Sequence, residues 1–581
     1  MKIRDLSYLL RFMKRQPALL ATALLLTVAD VFFALMMPWL MSRIVDEGVL
    51  TGNLGMVERT SLQMVGMALG GSLTGFLSAL VISLVTQRVS NDMRKSVFGK
   101  IQSLSYRQLS AYSSGVLVTR VMSDTQLVSQ FGAAFFQAFL KPMAMFVLGL
   151  AMTLAVSPRF ALVFAVILPL QALILVLFMK KMTPLFLKTQ LIIERMNERV
   201  QEMLGSLRLI RVSMQQAREN SSFGETNQEL LEVNLQIQAL MALLNPLVML
   251  IINFVLILII LIGSRLVQAG TAEVGRIIAV IMYIQQIMMS LMMIGQIYQM
   301  YSRTVVSSRR LEEIEDMRPS MAEGTLTLEA PVERIEVRDA VFRYPGTPED
   351  HPPALDRVSL DLRRGEFFAV IGPTGSGKST LAALLARLLP ASSGAVLVNG
   401  RDILHYTDAS LRSHVAIVLQ QSSITSGTVA DNIRYGLESA SPEEVTRAAA
   451  LAQADSFISA LPQGYDTPVS QRGASLSGGQ KQGIAVARAL LRRPDVLILD
   501  DSTSAMDLDT ERRLREALRS ACPDMTLIVI SQRVATVMHA DRILLMEHGR
   551  VSASGTHRSL RSQSGLYREI CAAQNIPEET P

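Results

Sequence analysis

Six stretches of this sequence are too apolar and too long to be the core elements of a soluble domain: residues 18 to 43, 61 to 87, 132 to 157, 160 to 179, 239 to 263 and 277 to 300. A helix rises about 1.5 Å per residue, so about 20 apolar residues carry it across the hydrocarbon layer. In lipid every backbone N–H and C=O must be satisfied within the segment or a closed barrel, and uninterrupted apolar runs select the helix. The first half of the chain is therefore expected to be an α-helical polytopic membrane domain with six transmembrane helices. A basic N-terminus before the first run resembles a signal peptide, but the run from Ala18 to Ile44 exceeds a signal core and is read as a retained span.

Lysine and arginine set the orientation. Lys2, Arg4, Arg11, Lys14 and Arg15 precede the first span; a second group from Arg88 to Arg120 separates spans two and three; a third from Lys180 to Arg211 separates spans four and five. By the positive-inside rule these segments face the cytoplasm. The same rule accounts for the net charge of +6, and no nucleic-acid binding is expected. Polar stretches such as IIERMNERVQEMLGSLRLIRV keep helical periodicity, so the helices are expected to continue well past the bilayer.

Within the spans, Asp30 lies in TVADVFF and an ionisable group there needs a partner or a function. Two readings stay open: a substrate contact, or a structural pair with Lys141 of FLKPMAM. The sixth span carries Gln285, Met289 and Met293, which suit a repackable substrate surface and equally suit plain helix packing. Hydrophobic small molecules, lipids or peptides all fit such a lining.

After the membrane half, residues 1–315, come a polar linker at 316–331, an α/β domain at 332–572 and a short tail at 573–581 expected to be flexible. Its two cysteines, Cys522 and Cys571, both fall in the soluble half, which fits a reducing compartment. The strand FFAVIG leads into GPTGSGKST, matching G-x-x-x-x-G-K-[ST]. Gly372, Pro373, Thr374, Gly375, Ser376 and Gly377 form a loop whose N–H groups can wrap phosphates. Lys378 reaches the terminal phosphates, Ser379 can bind Mg²⁺, and Thr380 continues into the helix. VLIL reads as a strand buried on both faces, and it delivers Asp500 to hold, through water, the Mg²⁺ of a bound nucleoside triphosphate. LSGGQ supplies a second phosphate-binding turn at Ser477, Gly478, Gly479 and Gln480, which suggests two such domains facing head to tail.

With these motifs in this order the chain resembles the ABC transporters, specifically half-size exporters with six spans fused to one ABC-type P-loop nucleotide-binding domain. The resemblance implies that Tyr344 stacks on adenine, that Gln420 contacts Mg²⁺ and the attacking water, and that Asp507 of SAMD belongs to the nucleotide site. It also likens YSSGVLVTRVMSD, with Gly115, Leu117, Arg120 and Asp124, to the first coupling segment.

The departures from that pattern are specific. Asp501 stands where the family has a catalytic glutamate, and Gln532 where it has a histidine; Ser470 and Gln471 replace a Gly-Glu pair, and Gly483 an arginine. A base must lie within about 3 Å of its water, and a misplacement of about 1 Å can cost about 10²-fold. One reading is drift with hydrolysis retained. The expectation adopted is a degenerate site that binds ATP and hydrolyses it slowly, within a heterodimer whose second half-size subunit holds the active site, in a bacterial inner membrane. A slow homodimer and an ATP-gated regulator or channel are the rivals.

Overall fold

The computed structural model describes residues 6–576 except 110, 320, 322, 345, 349, 471 and 472, and leaves aside the side chains of residues 107, 161–166, 245, 291–296, 298, 299 and 302. Lys2, Arg4, Gln471, residues 577–581 of the expected tail and the side chain of Met293 lie outside the described residues. The chain forms two compact units. One comprises the chain up to Gln102 with Ser113–Met317, and the other Ser103–Tyr112 with the chain from Arg318 onward.

The first unit is built from six long helical stretches: Pro17–Arg43, Leu54–Ser103, Ser114–Val156, Pro158–Gly205, Gln216–Gln268 and Val274–Asp316. Proline opens the first and fourth at positions where its missing N–H costs nothing. Among the described residues, five are long and apolar enough to cross a membrane, and the sixth is apolar over Val274–Ser290. The 50 residues of the second helix span about 75 Å, well beyond the hydrocarbon layer, as the periodicity of the polar stretches implied. On the extensions, Glu229 of the fifth helix meets Arg195 of the fourth at 2.8 Å, and Met182, Ile192, Val233 and Ile237 form their own small core.

The third stretch is interrupted by two π-helical segments, Arg120–Asp124 and Phe135–Leu140. The second has a visible cause. Pro142 has no N–H to give to the carbonyl one turn back, and the chain widens so that Lys141 N–H reaches Phe136 O, five residues away. Arg120 and Asp124 are buried inside this unit: Arg120 donates to Arg310 O, and Asp124 accepts from the Ser307 hydroxyl at 2.6 Å. The earlier stretch Ser103–Tyr112 belongs with the second unit, where Gln108 Nε2 donates to Arg318 O at 2.8 Å.

In the second unit β1 (Arg334–Phe342), β2 (Leu355–Arg363), β4 (Ser393–Val398) and β5 (Arg401–Asp402) make an antiparallel sheet in the order β2-β1-β4-β5. A six-stranded sheet uses β3 (Phe367–Ile371), β6 (Val415–Val418), β9 (Val496–Asp500), β10 (Thr526–Ile530), β11 (Arg542–Glu547) and β12 (Arg550–Gly555). Its order is β12-β11-β3-β10-β9-β6, parallel except for β12. Short β7 (Gly427–Thr428) and β8 (Pro468–Val469) pair separately. Strands β3, β9 and β10 are buried along their whole length, which matches their runs of four or five apolar residues.

Two expectations about the segment ends need correction. The second half of the 316–331 stretch is docked: Leu328 is buried, and Leu326 exchanges backbone hydrogen bonds with His405 and Thr407. At the other end, Gln574 is no free tail residue. It accepts from Val534 N–H and donates to Gln532 O, both at 2.7 Å, because an amide side chain can satisfy a donor and an acceptor of one loop together.

Candidate functional site

Strand register assembles the site. Ile530 pairs with Val370 on one side and Asp500 on the other, so the carboxyl ends of β3, β10 and β9 lie abreast. Val418 of β6 pairs with Leu499 and brings Gln420 to the same edge. Ligands of such sheets bind at this edge.

The loop after β3 is shaped by close approach. A Cβ on Gly372 would stand 2.1 Å from Met546 O, and one on Gly377 2.4 Å from Ala354 O. Gly375 and Gly377 also have φ of +81° and +96°, the left-handed region open to glycine. Lys378 Nζ donates to Gly372 O and Pro373 O at 2.8 and 2.7 Å and to Ser376 Oγ at 3.4 Å. Burial lowers the Lys378 pKa, opposed by the charges of Asp501 and Asp500.

Ser379 Oγ donates to Asp500 Oδ1 at 2.9 Å. Asp501 follows in a tight turn with φ +47°, a conformation that aspartate adopts more readily than most side chains. Gln420 Nε2 donates to Asp501 Oδ2 at 3.2 Å, and the Thr374 hydroxyl donates to Gln532 Oε1 at 3.4 Å. Burial raises the pKa of both acids, against the lowering effect of their hydrogen bonds from Ser379 and Gln420. Tyr344, half-exposed, sets its hydroxyl 3.1 Å from Thr380 Oγ1 and packs edge-on against Phe342.

These groups line one cavity of about 330 Å³: Tyr344, Thr374, Gly375, Gly377, Lys378, Ser379, Thr380, Gln420, Asp500, Asp501 and Gln532. Ala354, Ile530 and Ser531 also line it. A hydroxyl, a carboxylate and a carboxamide beside a phosphate loop suit a hard cation, so Mg²⁺ would be held by Ser379 and Asp500 next to Gln420. The ion would offset the phosphate charge, and Lys378 and the loop N–H groups would hold the phosphates.

Ser477, Gly478, Gly479, Gln480 and Asp507 do not line this cavity. Ser477 and Gln480 close a reciprocal capping box at the start of the helix Gly478–Leu491, with Gln480 N donating to Ser477 Oγ at 3.3 Å and Ser477 N to Gln480 Oε1 at 2.8 Å. Asp507 caps the helix Leu508–Ala521, accepting from Thr510 N at 2.9 Å, which holds its carboxyl below the usual range. Gln482, buried, accepts from Ala505 N at 3.0 Å and ties the two turns together. Sequence reasoning passed over it, although it repeats the glutamine of LSGGQ two residues on. Gly483 fits against Ala454 and Phe457, where a Cβ would be 3.3 Å from the alanine.

In the membrane unit a second cavity, of about 650 Å³, is lined by Asp30, Gln285 and Met289 among others. Both readings of Asp30 meet there. It pairs with Lys141 at 2.6 Å, and the pair itself lines the cavity.

Residues 20–291 match the model of the ABC transporter transmembrane region and residues 355–504 that of the ABC transporter. The chain is 35% identical to the ABC transporter ATP-binding protein YfiB of Bacillus subtilis, over 97% of this chain and 98% of that one. It is 31% identical to the fatty acid ABC transporter ATP-binding/permease protein of Mycobacterium bovis, over 89% of this chain and 81% of that one. With the ATP-dependent lipid A-core flippase of Yersinia pestis it shares 30% identity over 95% and 94%. A bacterial Atm1-family ABC exporter solved with ATP bound superimposes with a TM-score of 0.81 at 26% identity, covering 97% of this chain and 99% of that one. Helical membrane region, phosphate loop, signature turn and full-length relatives agree: the chain belongs to the ABC transporter family, as a half-size exporter with its membrane and ATP-binding domains on one polypeptide.

Proposed function

We propose that this chain is one subunit of a heterodimeric exporter in a bacterial inner membrane, moving hydrophobic or amphipathic, lipid-like substrates. Its own phosphate loop, Asp500 and Asp501 form a site that binds Mg²⁺-ATP and hydrolyses it poorly. Its LSGGQ turn completes the partner's active site. ATP at both sites closes the nucleotide domains, and hydrolysis at the partner's site resets them.

The observation that carries this reading is the pair Asp501 and Gln532 in the lining of the cavity. Asp501 is one methylene shorter than the glutamate of the family pattern, and Gln532, in place of its histidine, offers no imidazole donor. The separation of Ser477 to Gln480 from this cavity supports a second chain at each site. The named lipid substrates of two relatives support the substrate class.

ATP hydrolysis by the chain purified alone, beside the same chain co-expressed with the product of a neighbouring ABC transporter gene, tests it. Silence alone and activity in the pair support the asymmetric heterodimer. Robust hydrolysis alone, abolished by Asp501→Asn, overturns it in favour of a homodimer. The Gln420–Asp501 hydrogen bond favours that second reading, because it aims a carboxylate into the cavity.

A further inference from the structure

The membrane cavity has balanced charge. Among the described residues that line it, Asp30 and Lys141 are the ionisable ones, and they contact each other at 2.6 Å. Around them stand neutral polar groups such as Gln137 and Gln285, and the softer apolar surface of Phe136, Met145 and Met289.

We infer that this cavity selects zwitterionic amphiphiles, whose head carries one cation and one anion on an apolar tail. The argument is one of compensation. A lone cation could take Asp30 only by leaving Lys141 without its counter-charge, and a lone anion would strand Asp30 in the same way; both are costly inside the membrane layer. A zwitterion exchanges one ion pair for two and strands nothing.

The geometry orients the head. The Asp30 side chain is recessed at 15% exposure, whereas Lys141 keeps 46%. Gly75 faces the acid, where a Cβ would stand 3.4 Å from Asp30 Oδ1, and its lack of a side chain leaves room for a bulky ammonium. Lys141 projects from the residue that ends the π-helical turn, and its long stem lets the amine swing to the anion. The cation enters first, against Asp30; the anion follows at Lys141; and the tail lies along Phe136 and Met289.

The inference rests on reading the chain as an amphiphile exporter and is independent of which nucleotide site hydrolyses ATP. Its test therefore reads binding. The full-length chain in a maltoside detergent is titrated with decylphosphocholine, decyltrimethylammonium and decyl phosphate below their micellar concentrations, and protection from thermal unfolding is measured. The wild type is expected to favour the phosphocholine by about tenfold over either probe that carries charge of one sign only. Asp30→Asn should shift preference to decyl phosphate, Lys141→Gln to decyltrimethylammonium, and the swapped variant Asp30→Lys with Lys141→Asp should restore the zwitterion. Comparing variants cancels partition into the detergent. Equal binding of all three probes by the wild type, or an unchanged ranking in the single variants, overturns the inference; if a variant fails to fold, the wild-type ranking alone decides.

Discussion

Gln420 Nε2 donates to Asp501 Oδ2 across 3.2 Å, joining the second residue after β6 to the first after β9 in the lining of the phosphate site. The contact holds the shorter acid in the cavity but leaves it a methylene back from where a glutamate would reach. Restoring reach and donor together should restore chemistry. The double variant Asp501→Glu with Gln532→His, purified alone, is expected to hydrolyse ATP at least about tenfold faster than the wild type in a phosphate-release assay. In the co-expressed pair, Asp501→Asn should change total hydrolysis by less than about twofold.

Ser477 separates stability from activity. It makes its capping box within its own domain, so Ser477→Ala should cost only about 1 kcal/mol. In the proposed heterodimer the same hydroxyl would face the partner's nucleotide site. Hydrolysis by the pair is expected to fall by at least about tenfold while ATP binding to this chain alone is unchanged.

At Gly372 the backbone leaves no room. A methyl group would stand 2.1 Å from Met546 O, so strand or loop must shift. Gly372→Ala is expected to destabilise the nucleotide domain by more than about 2 kcal/mol, seen as a lower unfolding temperature together with loss of ATP retention. Gly346, at φ +78° with open space around it, provides a control whose alanine variant strains the backbone but meets no atom.

Burial raises the pKa of Asp500 and Asp501, which gives stability a definite pH dependence. Each acid holds its proton more tightly folded than unfolded, so stability falls as pH rises from the ordinary value of about 3.9 through the raised one. Asp501→Asn removes one such charge. In buffer free of nucleotide and divalent cation, its unfolding temperature should match the wild type at pH below about 4 and exceed it at neutral pH. Added Mg²⁺-ATP should narrow the difference, because the ion stabilises the charged acid.

Much of the site was legible because its motifs are local. GPTGSGKST needs its glycines for the turn that the structure shows, and VLIL reads directly as the buried β9 that ends in Asp500. The signature turn and Asp507 were legible as motifs too, yet a single chain puts them outside the cavity and gives both a capping role. The docking of Leu328 and Gln574 was hidden, since a polar composition says that a segment can be solvated and not whether a groove or a loop receives it.

The sequence by itself determined that an apolar helical half precedes an ABC-type nucleotide domain, and which side chains each motif offers, because these depend on runs and spacings within a few helical turns or one strand. The tertiary structure decided which distant residues meet. Parallel register brought Gln420, Asp500 and Gln532 to one edge of a sheet beside Lys378, and helix packing closed Asp30 on Lys141 across more than a hundred residues of chain. No local pattern encodes such meetings. They follow from how buried faces fit together, and in lipid an unpaired charge makes that fit exacting.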